Sequence, residues 1–218
     1  MNTVTSSATE APEFLKPGAN GAPSVVLVDA GGTNIGSVRY ALLRLGVDAP
    51  LTADPCAIRA AGKVILPGVG AAGPAMARLR KLGLVDLLRG LTQPVLGVCL
   101  GMQLLCTNSE EGNVDCLGLI PATVRRLQPA PGLRVPHMGW NRLRALGPHR
   151  LLEGLADDAQ AYFVHGYAVP VGDYTLAAAE HGQAFSAMVA RGNFFGMQFH
   201  PERSAVVGAR LLRNFLAP

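Results

Sequence analysis

Up to about Gly118 the apolar residues fall in short unbroken runs rather than in alternation with polar ones. "SVVLVD" (24–29), "KVILPG" (63–68) and "PVLGVC" (94–99) are such runs, the second of them bounded by glycine. Runs of this length predict strands buried on both faces, as in a parallel sheet. Between them the spacing becomes helical. Ile35 to Leu45 stops at Gly46, Pro74 opens a helix with Met76, Leu79 and Leu82 on one side, and "LGMQLLCTNS" reads as the helical partner of the third strand. Strand, glycine turn and helix in repetition predict an α/β fold.

Beyond Gly118 the pattern changes. "AYFVHGYAV" (161–169), "FSAMVA" (185–190) and "FFGMQFH" (194–200) are strand-like, "RGN" (191–193) is a hairpin turn between the last two, and an amphipathic helix from Ala205 to Phe215 ends the pattern. The expected architecture is one α/β domain, residues 24–218, with a mostly parallel central sheet, flanking helices and an antiparallel addition. Residues 1–23, rich in Ser, Thr, Pro, Gly and Ala, are expected to form a disordered tail.

Composition narrows the function classes. In 218 residues, 49% are hydrophobic and 16% charged, enough for a sizeable core. The most apolar stretch, Pro94 to Cys106, is interrupted by Gln103 and is too short to span a bilayer, and the N-terminus lacks the pattern of a secretory signal. A net charge of +4 is too small to imply nucleic acid. Four cysteines without a CxxC pair point to a reducing, cytoplasmic setting and away from metal binding. Arg125, Arg126, Arg134, Arg142, Arg144 and Arg150 lie in a stretch without acidic residues, which reads as a solvated face or a surface for an acidic partner.

Ligands of open parallel sheets bind at the carboxyl ends of the strands, and Cys99 sits at one. Gly97 and Gly101 flank it at nucleophile-elbow spacing, where small neighbours let strand and helix approach closely. The amides that follow, at a helix N-terminus, would face the attacked group and lower the thiol pKa. Free cysteine is also a common core residue, so GxCxG alone leaves packing and chemistry open. Cys56, Cys106 and Cys116 lack this context and read as structural. "FHPE" supplies a base and its orienter: in an extended segment His200 and Glu202 would face one side together. His149 and His181 read as surface residues, while His137 and His165 suit either binding or packing. "PGVGAAGP" (67–74) lacks the lysine of a phosphate loop and fits an oxyanion hole or a tight turn; "DAGGTN" is a faint dinucleotide fingerprint at most.

In this order, "PGVG", "GVCLGMQ" and "GMQFHPE" resemble the class I (triad) glutamine amidotransferases, a family of flavodoxin-like fold, and the likeness runs from about Ser24 to the C-terminus. The resemblance implies a catalytic Cys99, His200 and Glu202, an oxyanion hole from the amides of Val69 and Leu100, glutamine contacts at Gly68, Gly70 and Gln103, and no cofactor or metal. "VPHMGWN" (135–141), "YFVHGY" (162–167) and "NSEEG" (108–112) are similar to the glutamine amidotransferase subunits of imidazole glycerol phosphate synthase, in histidine biosynthesis. "DAGGTNIGS" departs from that pattern at Ala30 and Thr33. Ammonia set free in water escapes or is protonated, so a second subunit is expected. The resemblance makes it the (βα)₈-barrel cyclase of a heterodimer, with Trp140 and Arg203 as interface candidates. An amidotransferase of anthranilate, guanylate or pyridoxal phosphate synthesis, a cysteine hydrolase of the same fold, and a non-catalytic regulatory domain are the competing readings.

Overall fold

The computed structural model describes residues 24–31 and 35–218. The expected N-terminal tail and Thr33 lie outside the described residues. The first half alternates strand and helix: β1 (Val25–Val28), α1 (Ile35–Arg44), β2 (Leu51–Thr52), α2 (Pro55–Ala60), β3 (Lys63–Gly68), α3 (Ala72–Lys81), α4 (Leu84–Arg89), β4 (Val95–Cys99) and α5 (Leu100–Leu104). The second half is mostly strand: β5 (Cys106–Ser109), β6 (Val114–Asp115), β7 (Ile120–Arg126), β8 (His137–Arg142), β9 (Arg144–Ala145), β10 (Gln160–His165), β11 (Tyr167–Ala168), β12 (Thr175–His181), β13 (Gln183–Arg191) and β14 (Phe194–Met197), closed by α6 (Ala205–Leu216).

The central sheet has the order β2-β1-β3-β4-β14-β13-β12-β9. Pairing is parallel from β2 through β14 and antiparallel beyond it. This is the expected mostly parallel sheet with an antiparallel extension. Two small sheets, β10-β8 and β11-β7-β5-β6, complete the fold.

The unbroken apolar runs follow from burial on both faces. Along β1, Val25 and Leu27 face one hydrophobic core, which α1 and α6 cover through Leu42, Leu211 and Phe215. Val26 and Val28 face the other, covered by α2, α3 and α4 through Ile58, Met76 and Leu88. Each run therefore serves two cores at once, which is why polar alternation is missing.

Two expected elements differ. "LGMQLLCTNS" is not one helix: α5 ends after five residues because Cys106 to Ser109 pair with β7, Cys106 opposite Ile120. "AYFVHGYAV" is not one strand: β10 pairs with β8 and β11 with β7, with Gly166 between them. Among the described residues no helix is long and apolar enough to cross a membrane.

Candidate active site

Three adjacent strands end at one point. In the β3–β4 register Gly68 lies opposite Cys99, and β14 pairs with β4 on the other side, Met197 opposite Val98. The loop after β3, the first turn of α5 and the segment after β14 therefore converge.

Cys99 is buried and has φ +54° and ψ −111°. A side-chain-bearing residue in this region costs about 1–3 kcal/mol, and such strain clusters at functional sites. The flanking glycines make the turn possible. A Cβ on Gly97 would lie 2.6 Å from the Gly101 carbonyl carbon, and one on Gly101 would overlap the Leu66 carbonyl oxygen. With five residues, α5 offers little macrodipole, so the expectation of help from a helix N-terminus reduces to individual amides at the turn.

His200 follows β14 and is pinned to β10. Its N–H donates to the Tyr162 carbonyl at 2.9 Å, its own carbonyl accepts from Ser204 Oγ at 2.7 Å, and that hydroxyl accepts from Tyr162 N–H at 2.9 Å. His200 Nδ1 lies 3.0 Å from Glu202 Oε1, and the Glu202 side chain is only 3% exposed. The expected pairing is present, but its geometry differs. Only His200 is extended, and Pro201 to Arg203 form a 3₁₀ turn that brings the carboxylate back to the ring.

Burial lowers the His200 pKa, but hydrogen bonds and charge from Cys99 and Glu202 outweigh it, and the imidazole is pushed up to about 10. His200 thus carries its proton at neutral pH. Because the folded value lies above the unfolded one of about 6.5, the stability it contributes is complete below that pH and is lost as pH rises through about 10. The alkaline limb of kcat/KM for amide hydrolysis should fall near pH 10, where the acid that protonates the leaving group disappears. Glu202→Gln removes part of the upward push, so this limb should move to lower pH. A limb lowered by about one pH unit leaves the variant about half protonated at pH 9, where wild type is about nine-tenths protonated, so the variant should lose about half of its relative rate there and about tenfold well above both values; a pH–rate profile of both proteins checks it.

A cavity of about 190 Å³ opens beside Cys99 and His200, with Val69, Gly70, Leu100, Gln103, Glu111 and His165 among its walls. Gly68 does not line it but packs beneath: a Cβ there would lie 2.8 Å from Gly101 N. Gln103 Nε2 is held by the Tyr167 carbonyl at 3.0 Å and by Gln198 Oε1 at 2.9 Å, which leaves Gln103 Oε1 for the cavity. Glu111 is a residue that sequence reasoning missed. It lies in the turn between β5 and β6, and its Oε2 accepts from Ala72 N–H at 3.0 Å, at the start of α3. The motif "NSEEG" was the only hint, and it named no role for either carboxylate.

The remaining candidates separate. Cys106 and Cys116 are buried; burial raises the thiol pKa of both, and that of Cys116 reaches about 11. Cys56 is exposed. His181 and His149, expected on the surface, are half-buried: His181 stacks on His137 at 4.2 Å, and His149 Nδ1 accepts from Leu151 N–H at 3.2 Å. Arg150 is no part of a solvated face, since it covers Phe195 and donates to the Asn214 carbonyl. Trp140 is 52% exposed beside Met138 at 64%. It meets the edge of Tyr162, and the Arg203 guanidinium lies 4.5 Å over the same ring. The two interface candidates are thus joined in one patch next to His200.

Comparison with known proteins identifies the family. The family model "Glutamine amidotransferase class-I" matches residues 26–218. The chain belongs to this family. It is 60% identical over 192 residues to "Imidazole glycerol phosphate synthase subunit HisH" of Xanthomonas axonopodis pv. citri, covering 88% of this chain and 96% of that protein. The subunit of the same name in Xylella fastidiosa strain Temecula1 is 58% identical over the same shares. These identities place the chain among the HisH subunits. Among solved structures, one described as a glutamine amidotransferase matches with a TM-score of 0.69 at 23% identity, covering 88% of this chain and 97% of that one. A glutamine amidotransferase from Thermotoga maritima gives 0.60 at 15% identity, over 89% and 82%. Such distant structural likeness establishes the α/β fold.

Proposed function

We propose that this HisH-family chain is the glutaminase subunit of an imidazole glycerol phosphate synthase, with Cys99, His200 and Glu202 as its triad. The observation that carries the reading is a strained, buried thiol at one strand end beside a histidine that a buried carboxylate holds at 3.0 Å. Cys99 Sγ attacks the carboxamide carbon of glutamine. The amides of Val69 and Leu100 hold the developing oxyanion, and His200 passes its proton to the departing ammonia. Water then attacks the glutamyl thioester while His200 takes a proton, releasing glutamate and the thiolate; Glu202 keeps the imidazole oriented throughout.

Glutamine's α-ammonium needs an anionic or carbonyl partner, and Glu111 and Gln103 Oε1 lie in the cavity wall to meet it. Glu111→Gln should therefore raise KM for glutamine about tenfold or more with little change in kcat, because this contact is the same in ground and transition states. Steady-state kinetics in the assembled enzyme read the split.

Ammonia must reach a second active site without crossing water. We assign that site to a (βα)₈-barrel cyclase, which would use it to form imidazole glycerol phosphate and an aminoimidazole carboxamide ribonucleotide. The patch of exposed Met138, Trp140 and Arg203 around the half-buried Tyr162 has the aromatic and arginine character of an interface core and lies beside the catalytic turn. Free thiols are consistent with a cytoplasmic setting. The decisive experiment mixes the protein with the cyclase and its nucleotide ligand. Feeble glutaminase activity alone and strong stimulation in the mixture is the expected result; a rate indifferent to the cyclase would remove the histidine-pathway assignment and leave the amidotransferase class standing.

A further inference from the structure

A chain of buried amides and imidazoles runs from β8 to the sulfur of Cys99, and one atom fixes its polarity. The Tyr167 carbonyl oxygen can only accept, and it takes a proton from Gln103 Nε2 at 3.0 Å and from His165 Nδ1 at 2.8 Å. The second proton of Gln103 Nε2 goes to Gln198 Oε1 at 2.9 Å. Gln198 must then turn its NH₂ to the other side, where Nε2 lies 3.8 Å from Cys99 Sγ. Turning Gln103 over would set its oxygen against the Tyr167 oxygen, and turning Gln198 over would set two donors face to face. Gln198 has no exposed surface, so no bulk water competes for the bond.

The other branch is ordered the same way. With His165 Nδ1–H committed to Tyr167, His165 Nε2 accepts from His137 Nδ1 at 3.1 Å, and His137 Nε2 accepts from Asn141 Nδ2 at 3.3 Å. Burial lowers His137 to about 4 and His165 to about 3, so both rings are neutral and each has one donor and one acceptor.

We propose that Gln198 is a hydrogen-bond donor to the Cys99 thiolate, aimed by Gln103 and the Tyr167 carbonyl, which stabilises the nucleophilic form of the sulfur and fixes its direction. A neutral thiol is a weak acceptor and gains little from an amide, whereas a charged acceptor gains roughly twice as much. The bond therefore favours the thiolate as attacking group in the first step and as leaving group in the second. Residue 198 shares this site with five titratable neighbours besides Cys99: His200 and Glu202 after β14, His165 on β10, Tyr167 on β11 and Glu111 between β5 and β6. All five persist in variants of residue 198, so a difference between variants isolates the amide. The inference rests on Cys99 being the nucleophile. That reading fails if Cys99→Ala keeps glutaminase activity, whereas the test below reads alkylation of Cys99 and needs no turnover.

The experiment compares wild type, Gln198→Met and Gln198→Glu in the full chain. The rate of Cys99 alkylation by iodoacetamide is followed against pH by peptide mass spectrometry, with exposed Cys56 as internal control. Glutaminase kinetics are measured with the cyclase bound. In Gln198→Met the alkylation midpoint should move up by about one pH unit, and kcat should fall about tenfold with a smaller change in KM. In Gln198→Glu an oxygen replaces the donor while the acceptor for Gln103 remains, so the midpoint should move further. Cys56 should not change. A purely structural Gln198 predicts the opposite ranking, with Gln198→Glu close to wild type; unmoved alkylation midpoints in both variants would overturn the proposal. Where a variant fails to fold by circular dichroism, wild type carries the test: the side-chain amide protons of Gln198, followed by NMR after selective glutamine labelling, should shift as Cys99 titrates and lose that shift in Cys99→Ala. Signals that stay still in wild type would also overturn it.

Discussion

Replacement of Cys99 by alanine should lower glutamine hydrolysis by about 10⁴-fold or more while leaving association with the cyclase intact, because removing a covalent nucleophile ends its pathway and leaves only binding and the oxyanion contacts. The structure separates these two outcomes. Cys99 is buried in the wall of the cavity, whereas the patch of Trp140, Tyr162 and Arg203 belongs to β8, β10 and the turn after β14. Activity assays and a pull-down with tagged cyclase, made on the same preparation, report both. Retained hydrolysis would take Cys99 out of the mechanism.

The second large effect is on folding. Gly101→Ala should destabilise the protein by about 3 kcal/mol or more, an extreme case of overpacking, because the added methyl would occupy the place of the Leu66 carbonyl oxygen in the neighbouring strand. Neither partner can yield cheaply: both are backbone, and β3 is buried on both faces. For a chain of this size that corresponds to a fall in Tm of roughly 6–12 °C, visible in a thermal melt. Gly36→Ala is the control. It lies in α1, where a Cβ would meet Tyr40 at an ordinary 3.8 Å, so it should be neutral or slightly stabilising. Equal melting of the two variants would contradict the account of the elbow as a close approach of strand and helix.

The parts of the fold that were legible are those where one local pattern has one cause. "KVILPG" matches β3 residue for residue, because a strand buried on both faces must be apolar throughout and a glycine ends it. The Cys99 turn was legible for a similar reason, since GxCxG states a steric requirement. The second half was harder to read because its strands answer to partners far along the chain. β12 is "TLAAAEH", with little intrinsic strand preference, and exists because β13 and β9 pair with its two edges. The apolar run after Cys99 looked helical, yet pairing of Cys106 with Ile120 ends the helix after one turn. At the site, His200 and Glu202 were found through proximity in sequence, although by a 3₁₀ turn instead of an extended segment. Glu111 was not found, because a carboxylate in a polar turn looks solvated until the fold carries it to the cavity. Gln198 carried a readable signal: a polar residue amid "FFGMQFH" must have hydrogen-bond partners if that run is buried. Only the structure names them as Gln103 and Cys99.

The central claim is that glutamine is opened by covalent attack of Cys99. Its most direct test is intact-protein mass spectrometry of the cyclase-bound enzyme, acid-quenched during turnover, followed by peptide mapping. The peptide containing Cys99 should gain the mass of one glutamyl unit, and the gain should be absent from Cys99→Ala. An enzyme that turns over at full rate with no such adduct, or with the adduct on Cys56, Cys106 or Cys116, would contradict it.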